Sequence, residues 1–227
     1  MAQPKVGVLL AGCGVFDGAE IHEAVITLLA LDRAGAEVVC MAPNVAQLHV
    51  INHLTGETMA EARNVLVESA RIARGKIRDL ATVNATELDA LVIPGGFGAA
   101  KNLCDFAVKG AGCTAHAEVV RLVRGVHEAG KPIGAACIAP AILARVLGGE
   151  HPRITIGSDP ATAAALETMG ARHQACGADG VVVDEQRRLV TTPAYMVAGW
   201  IAEAAVGLEA MVAKVLEMVE AGAATHA

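Results

Sequence analysis

Apolar residues follow two rhythms along this chain. Val6 to Ala11 is a continuous apolar run, which suits a strand covered on both faces. Residues 20–34 then place Ile21, Ala24, Val25, Leu28, Leu29 and Leu31 on the apolar side of a helix, and Gly35 ends it. Residues 37–41 form a second short strand. This strand–helix–strand opening predicts a parallel sheet. The same alternation returns further on. Residues 91–98 read as a strand, a glycine-rich loop and a helix start. Residues 115–129 read as a helix ending at Gly130, 131–136 as a strand, and 138–147 as a helix. Short strands follow at 153–156 and 181–184, with a helix at 160–168 between them. One more strand at 189–192 and a long helix at 197–221 close the pattern. Alternation throughout predicts one doubly wound α/β sandwich spanning 1–227.

Residues 44–85 break the rhythm. Thr55-Gly56-Glu57 reads as a turn, and residues 60–74 as an amphipathic helix carrying Arg63, Arg71 and Arg74. The segment is an excursion on the sheet, of the kind that carries a lid or a subunit contact. His49 and His53 are four apart, a spacing that suits a metal on a helix. The residues between them lack the glutamate of a zincin, and the remaining histidines are scattered, so no metal is expected.

Composition narrows the class. Of the 227 residues 54% are apolar but only 2% aromatic, so the core is built from small aliphatic side chains. The net charge of −6 and the lack of a basic stripe or aromatic stacking surface argue against a nucleic-acid partner. The apolar runs are too short to span a bilayer. The six cysteines contain no C-x-x-C pair, and with no signal or transit segment visible they read as reduced thiols of a cytoplasmic protein.

The chemistry concentrates at three strand ends, where open parallel sheets bind ligands. In Lys131–Pro140 (KPIGAACIAP) an apolar run ends in Cys137 and a helix follows at once. This is the shape of a nucleophile elbow, in which helix-start N–H groups face the side chain and favour thiolate. A buried strand-end cysteine fits the same stretch. Pro94-Gly95-Gly96 would present bare N–H groups that, with the N–H of Ile138, form an oxyanion hole; alone, it is also a plain tight turn. Gly12-Cys13-Gly14 closes the first strand and makes Cys13 a rival thiol. A cysteine nucleophile needs a proton partner, and Glu23 on the first helix is the candidate, against the alternative of a solvated surface glutamate. Gly12-x-Gly14-x-x-x-Gly18 misses the dinucleotide fingerprint, and no acidic residue ends the second strand to hold a ribose, so no nicotinamide is expected.

The elbow AACIAPAILA, the loop PGGFGAAKNL and the opening GVLLAGCGVFDGAEIHEA, together with INHLTGE, ARNVLVESARI and VTTPAYM, resemble the ElbB group. That group is named for enhancing lycopene biosynthesis and described as glyoxalase-like. It lies in the PfpI-type branch of the class I glutamine amidotransferase-like superfamily. The resemblance runs from about Val6 to about Glu220. It implies a flavodoxin-like three-layer α/β sandwich, a homodimer, Cys137 as nucleophile, Glu23 as its partner and Gly95-Gly96 as the oxyanion loop. The histidines that many superfamily members carry after the elbow are missing here: Ile138 follows Cys137, and Ile154–Ser158 contains none.

Two functions follow from this resemblance. One is cofactor-independent conversion of glyoxal, and of methylglyoxal, to the 2-hydroxy acid through a hemithioacetal on Cys137. Glu23 moves the protons, and Gly95, Gly96, Ile138, Cys13 and Gly14 surround a small α-oxoaldehyde. The alternative is a redox-responsive or regulatory binding protein linked to isoprenoid metabolism, in which aldehyde turnover is incidental.

Overall fold

The computed structural model describes residues 3–225. Seven strands form the central sheet: β1 (Lys5–Leu9), β2 (Glu37–Ala42), β3 (Arg78–Asp79), β4 (Ala90–Ile93), β5 (Ile133–Ala136), β8 (Val182–Asp184) and β9 (Leu189–Thr192). Their order is β3-β2-β1-β4-β5-β9-β8. Neighbours run parallel from β3 to β9, and β8 is antiparallel to β9 at the edge. A separate parallel pair joins β6 (Arg153–Ile154) to β7 (Arg172–His173). Helices α1 (Ile21–Arg33), α2 (Val65–Ile72), α3 (Phe106–Lys109), α4 (Ala117–Glu128), α5 (Pro140–Leu147), α6 (Pro160–Thr168) and α7 (Ile201–Thr225) surround the sheet. This is the expected flavodoxin-like sandwich.

The central strands are short and wholly apolar because both faces are covered. All four residues of β4 and of β5 are buried. Small residues let the layers close. A Cβ on Gly134 of β5 would stand 3.1 Å from Val215 Cγ2 of α7. A Cβ on Gly7 of β1 would stand 2.7 Å from a Leu88 methyl. Helix starts carry side-chain caps: Asp159 accepts from Thr162 N–H at 2.7 Å ahead of Pro160, and Asn64 accepts from Val67 N–H at 3.1 Å.

That second cap explains a difference from the sequence expectation. The helix expected over 60–74 covers only α2, because residues 63–64 pair with the strap at 46–47. Ala46 and Asn64 form an antiparallel bridge, and Gln47 N–H donates to Arg63 O at 2.8 Å. The strap turns at Gly56, as expected, with Ile51 bridging Thr58.

The excursion is tied to the loop after β1. Ile51 N–H donates to Asp17 Oδ2 at 2.8 Å, Leu48 N–H to Asn102 Oδ1 at 3.0 Å, and Gly12 N–H to Ser69 Oγ at 2.8 Å. Asn102 sits in a π-helical turn, Ala99–Leu103, and its amide also donates to the carbonyls of Ala11 and Asp17. His53 serves the same latch: its Nε2 accepts from Phe16 N–H at 3.3 Å and its Nδ1 lies 3.0 Å from Ile51 O. Among the described residues no group of three or more His, Cys, Asp or Glu is arranged to hold a metal ion. No described helix is long and apolar enough to cross a membrane.

Candidate active site

Because β1, β4 and β5 are neighbours, their C-terminal ends meet, and the loop after β9 joins them from the other side. Cys137 follows β5 directly. Its φ of +57° is left-handed, a conformation that disfavours any residue with a Cβ and that marks a sharp strand-to-helix turn. The turn is held by Cys137 N–H donating to Thr192 O at 2.9 Å, and Ala139 N–H donating to Ala136 O at 2.9 Å. The elbow predicted from Lys131–Pro140 is present.

Glu23 projects from the first turn of α1 and is wholly buried. Its Oε2 accepts from Gly95 N–H at 2.8 Å, its Oε1 from Tyr195 N–H at 3.3 Å, and the carboxylate also accepts from the Cys137 thiol. Burial, and then the neighbouring carboxylate of Glu20, push the Glu23 acid up to about 7; the three hydrogen bonds oppose this. Glu20 caps α1 by accepting Glu23 N–H on Oε2 at 2.7 Å, which fixes the two acids side by side.

The sulfur receives backbone N–H groups from Gly96 and Ile138, which draw its pKa down. Burial and the Glu23 charge outweigh them, so the Cys137 thiol is held well above its ordinary value. This corrects the expectation that the helix start favours thiolate. Above about pH 7 the pair is a protonated thiol hydrogen-bonded to a carboxylate, a geometry in which Glu23 can accept the thiol proton.

The glycine loop is shaped by close approach. Gly96 has φ +94°, and a Cβ there would stand 2.3 Å from Glu20 N. A Cβ on Gly95 would stand 2.4 Å from Cys137 Cβ and 2.7 Å from Glu23 Oε2. Gly95 and Gly96 therefore divide the work. The Gly95 N–H is taken by Glu23 and is not offered to an oxyanion, whereas Gly96 and Ile138 face the sulfur.

A cavity of about 310 Å³ opens over Cys137. Glu20, Gly96, Ile138 and Tyr195 line it. Cys13 and Gly14 do not, which corrects their placement around the substrate. The end of β1 turns toward the excursion: the charges acting on Cys13 are those of Glu68, Arg71, Asp17 and Arg63, and a Cβ on Gly14 would meet His53 Nε2 at 2.6 Å. The loop reaches the cavity through Val15 and Glu20 instead. None of the residues lining the cavity comes from 44–85, so the excursion braces the loop and does not cover the site.

Tyr195 is the residue sequence reasoning missed. It lines the cavity, and its hydroxyl lies 2.8 Å from His22 Nδ1, on the residue beside Glu23. The motif VTTPAYM held it in view, but its grip on Glu23 is through a backbone N–H, which side-chain identity does not reveal.

Fold and site together define a flavodoxin-like α/β domain with a buried Cys/Glu pair at a nucleophile elbow. The chain belongs to the DJ-1/PfpI family, whose model matches residues 11–198. It is 48% identical to the human glutamine amidotransferase-like class 1 domain-containing protein 3, mitochondrial, over 94% of this chain and 83% of the human protein. It is 35% identical to the zebrafish (Danio rerio) ES1 protein, mitochondrial, over 85% of this chain and 77% of that protein. Among solved structures, it matches an isoprenoid biosynthesis protein with amidotransferase-like domain from Ehrlichia chaffeensis. That match has a TM-score of 0.88 and 37% identity, covering 94% of this chain and 99% of the other. The mitochondrial names of these relatives overturn the cytoplasmic expectation. Reduced thiols suit any reducing compartment, so cysteine usage does not distinguish the two.

Proposed function

We propose that this protein is a cofactor-independent glyoxalase of the ElbB branch, converting 2-oxoaldehydes such as glyoxal to the 2-hydroxy acid at Cys137. The observation that carries the reading is the single buried constellation in which the Cys137 thiol donates to Glu23 while Gly96 and Ile138 N–H groups face the sulfur. Glu23 takes the thiol proton as sulfur adds to the aldehyde carbon. The Gly96 and Ile138 N–H groups stabilise the oxyanion, which gains a proton to give a hemithioacetal. Glu23 then removes the hydrogen on that carbon as a proton, forming an enediol, and returns a proton to the neighbouring carbon. One carbon is thereby oxidised to a thioester and its neighbour reduced to an alcohol, with no external electron carrier. Water cleaves the thioester, releasing the acid and restoring the thiol.

The branch assignment draws support from the likeness to the Ehrlichia protein, whose description mentions isoprenoid biosynthesis. The redox-sensing alternative draws less support, because a peroxide sensor works through an accessible, low-pKa thiol and Cys137 is buried with its pKa raised. A homodimer belongs to the same proposal. Ile21, Val25 and Leu29 recur at helical spacing on the exposed side of α1, and Trp200 and Ile201 at the start of α7 are exposed as well.

The test is glycolate formation from glyoxal without glutathione or nicotinamide. Cys137→Ser and Glu23→Gln should each lose at least 100-fold in kcat/KM while retaining the fold by circular dichroism. Turnover that survives Cys137→Ser would remove the nucleophile from this account.

A further inference from the structure

We propose that the cavity selects an uncharged 2-oxoaldehyde bearing an apolar alkyl group of up to about six carbons, in preference to glyoxal itself or to an anionic carbonyl compound. This rests on the Cys137/Glu23 reading and names its substrate class.

Three observations lead there. The first is size. At roughly 30 Å³ per non-hydrogen atom, taking the liquid volume of water as a guide, about 310 Å³ holds on the order of ten such atoms. The reacting dicarbonyl unit fills four of these places and leaves the rest to a substituent. The second is the wall. Val15, Phe97, Ala100, Phe106, Ile138 and Met196 face the space, against Glu20, Tyr195 and Thr162 as the polar side chains beside Cys137. A glyoxal molecule would leave this apolar surface wet, whereas an alkyl chain would cover it.

The third observation is charge. Among the described residues, no Lys, Arg or His lines the cavity. Lys101, next to Ala100, is drawn off: its Nζ donates to Phe16 O at 2.8 Å and lies 5.3 Å from the centre of the Phe97 ring. Among the described residues the one carboxyl on the wall is that of Glu20, which is buried. A substrate carboxylate or phosphate would lose water, find no cation and meet an acid, a desolvation cost with nothing to offset it. The reaction stays balanced as before: R–CO–CHO plus water gives R–CHOH–COOH, with R apolar.

The experiment has two arms. In the first, kcat/KM is measured for glyoxal, methylglyoxal and straight-chain alkylglyoxals up to hexylglyoxal, and for 4,5-dioxopentanoate as the anionic counterpart of butylglyoxal. A rise of roughly two- to fourfold per methylene is expected from methyl to butyl. Dioxopentanoate should fall at least tenfold below butylglyoxal. Ala107→Arg adds a cation at the exposed rim and should narrow that gap. A flat or falling series, an anion that matches its neutral counterpart, or a gap untouched by Ala107→Arg would overturn the inference.

The second arm does not depend on turnover. Alkylation of Cys137 is followed by peptide mapping with N-ethylmaleimide, N-hexylmaleimide, iodoacetamide and iodoacetate, using the partly exposed Cys176 as the internal reference. Relative to Cys176, Cys137 should prefer the hexyl over the ethyl reagent and the neutral over the anionic iodo reagent. This preference without turnover of any aldehyde would sink the glyoxalase reading and leave the pocket selectivity standing. Turnover of glyoxal without the preference would do the reverse.

Discussion

The carboxylate of Glu20 accepts the backbone N–H of Glu23 at 2.7 Å, so the cap of α1 also sets the acidity of the residue three positions on. Burial is the larger cause of the raised Glu23 pKa and Glu20 the second. Glu20→Gln keeps an oxygen for the cap and removes the charge. The acidic limb of the kcat/KM profile, expected near 7 because Glu23 is the base of the proposed reaction, should move to lower pH by roughly one unit. An unmoved limb in a variant with wild-type secondary structure would detach Glu20 from the titration.

The same shift has a consequence for stability. Glu23 holds its proton more tightly in the fold, at about 7, than its ordinary value of 4.5. Between these values the native state binds more protons than the unfolded state, so stability falls as pH rises through the window and the loss is complete above 7. The size is of order 3 kcal/mol. Urea unfolding at pH 5 and pH 8 should show this loss in the wild type and a much smaller one in Glu23→Gln.

Two glycines at neighbouring strands should respond unequally to a methyl group. Gly95→Ala drives a Cβ to 2.4 Å from Cys137 Cβ and 2.7 Å from Glu23 Oε2, and both groups are held by other bonds. It should cost at least 100-fold in activity and about 1–3 kcal/mol in stability. Gly134→Ala meets a Val215 methyl at 3.1 Å and should cost less than about 1.5 kcal/mol with activity kept. Equal effects in paired activity and melting measurements would contradict this division.

For the homodimer, Val25→Glu places a charge in the middle of the exposed apolar row of α1. Sedimentation velocity should report a dimer for the wild type and a shift to monomer for the variant. A wild-type monomer at tens of micromolar would dismiss the proposal.

Much of the scaffold was legible because its strands and helices alternate in unbroken apolar runs. The expected strand at 189–192 and helix at 160–168 coincide with β9 and α6. The two-residue strands β3 and β7 were not legible, since two residues carry no period. At the candidate site, the structure brings together Cys137, Glu23, Gly95, Gly96 and Ile138, which local sequence singles out because each sits at an end of an element with a strong signal. Cys13 and Gly14 were misplaced because a strand end fixes where a loop begins and not which way it turns. The direction here is set by Ser69, Ile51 and His53, residues distant in sequence. Tyr195 escaped for a related reason: the β9 loop binds Glu23 across 172 positions.

That span also governs when Cys137 and Glu23 can be brought together. Glu23 emerges early in synthesis, yet its clamp at Tyr195 and the carbonyl of Thr192 that holds the elbow emerge near the end. A nascent or truncated chain lacking β9 has a cysteine and a glutamate but no geometry to couple them. On the proposed function, such a fragment should not turn over 2-oxoaldehydes, and activity should return only when a peptide supplying the last third docks in place.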